Sequence, residues 1–255
     1  MIQLWKRSRA AGAALRLRSA TVSRPGSYAV NEDAAGEVEA GGFSLRLLAD
    51  GLGGHARGEV ASRLAVERCL SFLQARPSLE PEALEEMVLE AHRALRAAAQ
   101  THVDADGVKS TLVILALNGS TARWAHVGDS RLYHFRRGRV SARTRDHSVP
   151  EMLHRAGEIR EEEIRDHPDR NRLLQVLGQE GTPRVAVSDA VSLGSGGAFL
   201  LCSDGWWENV PEKAMEAALR GAADPADWLA RMQERIDATN GASQDNYTAS
   251  AVMIV

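Results

Sequence analysis

Four aspartates each stand where an apolar run of the chain stops, and a small or turn-forming residue follows every one. Asp50 ends Leu47-Leu48-Ala49-Asp50-Gly51, and Asp129 lies in His126-Val127-Gly128-Asp129-Ser130. Asp204 closes Leu200-Leu201-Cys202-Ser203-Asp204-Gly205, and Asp245 lies in Gln244-Asp245-Asn246. Three of the runs lead in and the fourth, Thr248 to Val255, leads out, so the carboxylates would project from strand ends. Strands of one sheet can gather such groups at one edge. Clustered carboxylates resist ionising together unless positive charge sits among them. Mg²⁺ and Mn²⁺ supply that charge, because hard divalent ions take carboxylate, carbonyl and water oxygens, not the Cys and His ligands that zinc favours. The pattern is that of an oxygen-ligated metal enzyme.

The 255 residues suffice for one large domain with a full core. A net charge of −3 and 44% hydrophobic residues describe an ordinary globular chain and give no pull toward nucleic acid or anionic lipid. Cys69 and Cys202 each lie inside an apolar segment, which reads as two reduced core thiols in a cytoplasmic protein. Met1 to Arg18 is basic around the short stretch Ala10 to Leu15, too short for a secretory signal, and no later segment reaches membrane-spanning length. Residues 1–18 are expected to be an extension or to lead into a first strand around Ala14 to Val22.

The elements that must position the aspartates follow from periodicity. Leu45 to Ala49 is a buried strand. Glu59 to Gln74 and Pro81 to Gln100 carry apolar stripes at helical spacing. Thr111 to Leu117 and Thr121 to Val127 form a hairpin through Asn118-Gly119, and Leu132 to Phe135 and Val140 to Thr144 extend it. Asp146 to Pro168 is polar with a helical patch at Glu151 to Ala156. Strands return at Arg184 to Val191, Ala198 to Cys202 and Thr248 to Val255, with helices at Pro211 to Leu219 and Pro225 to Ala238. Meandering strands and paired helices argue for α+β, with helices covering antiparallel sheets in a single domain.

The stretch Asp50-Gly51-Leu52-Gly53-Gly54-His55-Ala56-Arg57-Gly58 invites a phosphate-loop reading, but Ala56 breaks the spacing and no Gly-Lys-Ser/Thr is present. An acid at its mouth would repel bare phosphate. A metal on Asp50 inverts that sign.

In order along the chain come Asn31-Glu32-Asp33-Ala34, Ala49 to His55 with Gly58 to Ser62, Ser110-Thr111, and Val127-Gly128-Asp129-Ser130-Arg131-Leu132-Tyr133. Asp146-His147-Ser148-Val149, Gln175-Val176-Leu177-Gly178, Leu201-Cys202-Ser203-Asp204-Gly205-Trp206 and Asp245-Asn246-Tyr247-Thr248 follow. This ordered set resembles the metal-dependent protein serine/threonine phosphatases, the type 2C family, in its bacterial signalling form. The resemblance implies a β-sandwich of two antiparallel sheets with helices on both outer faces and a dinuclear Mn²⁺ or Mg²⁺ centre at one end. By it, Asp50 bridges both ions, the Gly51 carbonyl binds one, and Asp33, Asp204 and Asp245 complete the carboxylates. Asp129, with Asp204, matches the holder of a third, weaker ion, and residues 146–168 match a flap beside the cleft.

Four carboxylates, Asp33, Asp50, Asp204 and Asp245, are formally balanced by two divalent ions. A water between two such ions loses a proton near neutral pH and can attack phosphorus in line. His55 either donates a proton to the leaving serine or threonine oxygen, or it caps its loop or binds a metal-bound water. Glu32 is expected behind the ligands, and His147 and His167 to stabilise the flap. The family usually places an arginine five residues before the first aspartate, where it grips phosphate bidentately. Here that position is Tyr28, and Arg24 is a candidate to fold back in its place. The expected function is hydrolysis of phosphoserine and phosphothreonine in proteins by a monomer that opposes a serine/threonine kinase. A phosphoprotein-binding module of weak activity and a phosphatase of a small metabolite are the competing readings.

Overall fold

The computed structural model describes residues 16–52, 57–100, 108–239 and 244–255. One sheet has the order β1 (Leu17–Arg24), β12 (Tyr247–Ile254), β11 (Ala198–Cys202), β7 (Arg131–Arg136), β8 (Arg139–Arg143). The other runs β10 (Val191–Ser192), β6 (Thr121–Val127), β5 (Leu112–Asn118), β3 (Phe43–Leu52), β2 (Asp33–Ala40), with β4 (Lys109–Ser110) on β3 and β9 (Ala186–Val187) on β6. Every strand pairing is antiparallel.

Strand alternation divides the core into three. Leu45, Leu47 and Ala49 of β3 and Leu112, Ile114 and Ala116 of β5 face α1 (Arg57–Ala75) and α2 (Pro81–Gln100). Leu48, Val113 and Leu115 point the other way, onto Leu132, Phe199, Leu201 and Val252 of the opposite sheet. The far face of that sheet, with Tyr133, Phe135, Leu200 and Ala251, buries Trp206 of α4 (Asp204–Trp207), Met215 of α5 (Glu212–Gly221) and Trp228 of α6 (Pro225–Ala238). The result is the expected α+β sandwich, helices on both outer faces.

Local chemistry explains the boundaries. Pro225 occupies the first turn of α6, where no backbone donor is missed, and Asp224 caps it by accepting from the Asp227 N–H. Ser148 caps α3 (Val149–Ala156) and Gly157 ends it in the left-handed conformation.

Several expectations shift. The hairpin loop is Gly119-Ser120, one residue later than Asn118-Gly119, because Asn118 pairs with Thr121. The single strand expected over Arg184 to Val191 is two short edge pieces, β9 and β10, on β6. The first strand begins at Leu17 and residues 1–15 lie outside the described residues. β2 lacks an apolar run and so carries no periodic signal; it holds the sheet edge with Glu37 and Glu39 paired to Arg46 of β3. Among the described residues no helix is long and apolar enough to cross a membrane.

Candidate metal centre

All five aspartates come to one end of the sandwich. Asp33 opens β2 and stands directly opposite Asp50 near the end of β3. Asp204 follows β11, Asp245 precedes β12, and Asp129 lies on the link by which β6 passes to β7 in the other sheet. Antiparallel pairing sets a strand's start beside its neighbour's end, so two sheets deliver their acids to a common cleft. That cleft holds about 570 Å³ and is lined by Glu32, Asp50, Gly51, Asp129, Asp204 and Asp245, with Tyr28 at its edge.

Asp50 and Asp129 are held by their backbones and Asp33 by its carboxylate. The Asp50 N–H donates to Thr111 Oγ1 (3.0 Å), and its carbonyl accepts from the Thr111 N–H (2.8 Å) and Ser110 Oγ (2.8 Å). Ser203 Oγ donates to Asp33 Oδ2 at 2.8 Å and accepts from the Thr248 N–H at 3.0 Å, tying one sheet to the other. Asn246 Oδ1 accepts from the Glu32 N–H (2.8 Å) while its amide donates to the Pro25 carbonyl (2.8 Å). The Trp207 indole N–H fixes the Asp129 carbonyl at 3.0 Å. Gly128 takes a φ of +100° against the Thr111 side chain, a turn open to glycine alone at that distance. A Cβ on Gly58 would stand 2.6 Å from the Gly51 carbonyl and 2.5 Å from a Glu32 carboxylate oxygen, so the start of α1 and the end of β3 meet only through glycine.

The electrostatics are those of crowded acids. Burial first, then neighbouring carboxylates, raise Asp33 to about 6 and Asp204 to about 7. Asp50 is pushed well up by burial and by Asp204, Asp33, Asp129 and Asp245. Burial and Asp204 raise Asp129 likewise. Among the cleft-lining residues described there is no Lys, Arg or His. Asp33 Oδ1 is buried without a hydrogen-bond partner, an acceptor that a cation would satisfy. Among the described residues no three acidic, imidazole or thiol groups close into a ready-made cation cage. The carboxylates instead line an open cleft, an all-oxygen donor set that fits hard divalent ions.

The family model for Protein phosphatase 2C matches residues 23–246. The chain belongs to the protein phosphatase 2C family. A serine/threonine phosphatase, stp, of Listeria monocytogenes is 36% identical over 197 residues, 74% of this chain and 77% of that one. The catalytic domain of the phosphatase PstP, solved in complex with two manganese ions, superposes with a TM-score of 0.78 at 31% identity, covering 94% of this chain and 99% of that one. A Staphylococcus aureus phosphatase, Stp1, gives 0.83 at 26% identity over 99% and 100%. The protein is thus a metal-dependent serine/threonine phosphatase of the 2C type.

In this phosphatase Asp33, Asp50, Gly51, Asp129, Asp204 and Asp245 share one end of the fold, while His55, with Gly53 and Gly54, lies outside the described residues. The Glu32 carboxylate accepts from the Gly58 N–H at the start of α1, and Glu32 also lines the cleft. Tyr28 lines the cleft. Arg24 does not fold back: its guanidinium donates to the Ser23 carbonyl at 3.1 Å. His147 exchanges hydrogen bonds with Gly128, its N–H to the Gly128 carbonyl and the Gly128 N–H to its Nδ1, whereas His167 accepts at Nδ1 from the Asp169 N–H. The segment 146–168 starts buried, at Asp146, and the residues that reach the cleft, Asn171 and Leu173, lie past its end. The pair Arg131–Asp146 also escaped sequence reading, although both residues stand in quoted motifs.

Proposed function

We propose that Asp50 and the Gly51 carbonyl, with Asp33, Asp204 and Asp245, hold two divalent cations, Mn²⁺ or Mg²⁺, and that Asp129 with Asp204 holds a third. Bound there, such ions would acidify a water and draw charge from phosphoryl oxygens, as metals do in phosphate-ester hydrolysis. The observation that carries this reading is the buried, unpartnered Asp33 Oδ1 beside four more aspartates and no cationic side chain among the described lining residues.

The chain's own part is positional. Thr111, Ser110 and Ser203 hold Asp50 and Asp33 against their mutual repulsion, which preorganises the acids before substrate arrives. Tyr28, at the cleft edge, offers a neutral hydroxyl to the phosphoryl group. His55 is assigned protonation of the leaving serine or threonine oxygen. Residues 146–168, with the strip that follows, form the flap over substrate.

Phosphorylated proteins are the substrates, a serine/threonine kinase is the opposing enzyme, and the chain works as a cytoplasmic monomer in bacterial signalling. The test is release of phosphate from a phosphothreonine peptide with Mn²⁺ or Mg²⁺, against a chelator control. Turnover that persists in chelator defeats the reading.

A further inference from the structure

A second cavity lies behind the strip that borders the active cleft. Leu173 faces the cleft, and its neighbour Leu174 faces the other side. There, two adjoining hollows of about 380 and 430 Å³ share Asp146, His147, Glu151, Arg155 and Arg184. Arg145 and His126 also line the larger one, with Val185 and the edge strand β9.

The charges do not balance. Asp146 is taken by Arg131 through two hydrogen bonds of 2.9 and 2.7 Å, and Glu151 by Arg143 at 3.3 Å. Among the described residues Arg145, Arg155 and Arg184 form no ion pair. Three guanidinium groups therefore surround one hollow whose acids are already neutralised from behind.

Its floor is a pair of stacked imidazoles, His126 and His147, with centroids 4.8 Å apart. A carbonyl can only accept, so His126 Nε2 is the protonated nitrogen in its 2.7 Å bond to the Arg145 carbonyl. That leaves Nδ1 of a side chain only 5% exposed without a partner, a lone pair that becomes a donor to an anion once the ring takes up a proton. The His147 ring accepts at Nδ1 from Gly128, which leaves its Nε2–H to donate. Burial, His126 and Arg184 lower the His147 pKa to about 4, as expected where the local field is already positive.

We infer that this hollow binds a phosphoryl dianion, held by Arg145, Arg155 and Arg184 over the two histidines, at a site separate from the metal centre. Arginine forks match phosphate oxygens bidentately, and three of them compensate a dianion fully. The site is not isolated from catalysis. His147 bonds both ways to Gly128, next to Asp129, and Asp146 holds Arg131, whose guanidinium lies 3.5 Å over the Trp207 ring that fixes the Asp129 carbonyl. The dianion is either a second phosphorylated residue on the substrate polypeptide or free phosphate, the reaction's product.

The test begins on the metal-free protein in chelator, where the acidic cleft has no cation to attract an anion. Inorganic phosphate is titrated at constant ionic strength while the imidazole resonances of His126 and His147 are followed by NMR. Saturable shifts are expected, absent with chloride, and weakened at least tenfold in the double variant Arg155→Gln, Arg184→Gln. No saturable shift, or an undiminished one in the variant, overturns the proposal. The NMR arm does not depend on turnover, so its outcome is independent of the functional reading above. A second arm compares Mn²⁺-dependent hydrolysis of singly and doubly phosphorylated threonine peptides. A several-fold lower KM for the doubly phosphorylated peptide, lost in the double variant, identifies the substrate as the source. Phosphate binding without that advantage identifies the free ion.

Discussion

Asp33 and Asp50 are cross-strand partners, two acids set directly opposite on neighbouring strands of one sheet. Like charges so placed destabilise a sheet, and here burial adds to the cost. An acid whose folded pKa is raised gives a native state that binds protons the unfolded chain does not. Stability of the metal-free protein from these groups therefore grows as pH falls from about 7, the raised value of Asp204, through about 6, that of Asp33, toward the unfolded value near 4. Asp50→Asn should abolish turnover yet stabilise the chelated protein at pH 8 by on the order of 1–2 kcal/mol, a figure discounted for the open cleft, with the gain shrinking by pH 5.5. Denaturant midpoints of variant and wild type at the two pH values check this. A variant that unfolds more easily at pH 8 contradicts it.

For Asp129 the backbone and the side chain separate. The Trp207 indole holds the carbonyl, so removing the carboxylate leaves the β6–β7 link in place. Asp129→Ala should lower turnover strongly while calorimetry still finds two divalent ions bound. Loss of the tighter pair would show that Asp129 supports the main centre.

Arg131 and Asp146 are buried, bonded bidentately, and capped by the Trp207 ring at 3.5 Å. Removing one partner strands a charge in the interior, a loss of about 3–5 kcal/mol, whereas replacing both by apolar residues of similar volume is far less costly. Arg131→Ala should therefore destabilise by that amount in urea, and Arg131→Met with Asp146→Leu by distinctly less. Equal losses in the two would mean that the pair's neighbours, not its charges, set the cost.

These long-range supports mark the limit of what the chain discloses on reading. β5 and β11 are legible as unbroken apolar runs, β3 and β12 as largely apolar ones and β6 through the hairpin it makes with β5, and Asp50, Asp129, Asp204 and Asp245 are legible as the acids at or just beyond the ends of β3, β6, β11 and β12. Asp33 enters only through its motif, since β2 is an edge strand with one β-branched residue. Ser203 reaches Asp33 from 170 positions away, and Asn246 reaches Glu32 from 214. No local period records such bonds. The turn of the β5–β6 hairpin slipped by one residue because Gly119-Ser120 and Asn118-Gly119 are both good turn pairs, and only the Asn118–Thr121 pairing separates them.

Tyr28 lines the cleft and is 56% exposed, with no described cationic side chain beside it in the lining. Its hydroxyl is free to meet a phosphoryl oxygen. A neutral hydrogen bond contributes about 0.5–1.5 kcal/mol and one to a charged group about 1.5–3. Tyr28→Arg should therefore raise kcat/KM roughly tenfold, since about 1.4 kcal/mol is one decade. The gain belongs mainly in KM if the contact is equally strong in ground and transition states. Arg24→Ala should change little, because that guanidinium is engaged by the Ser23 carbonyl and does not line the cleft. Steady-state kinetics on a phosphothreonine peptide separate the cases. An unchanged Tyr28→Arg enzyme would mean that phosphate is held without this position. A crippled Arg24→Ala enzyme would mean that Arg24 turns inward when substrate binds.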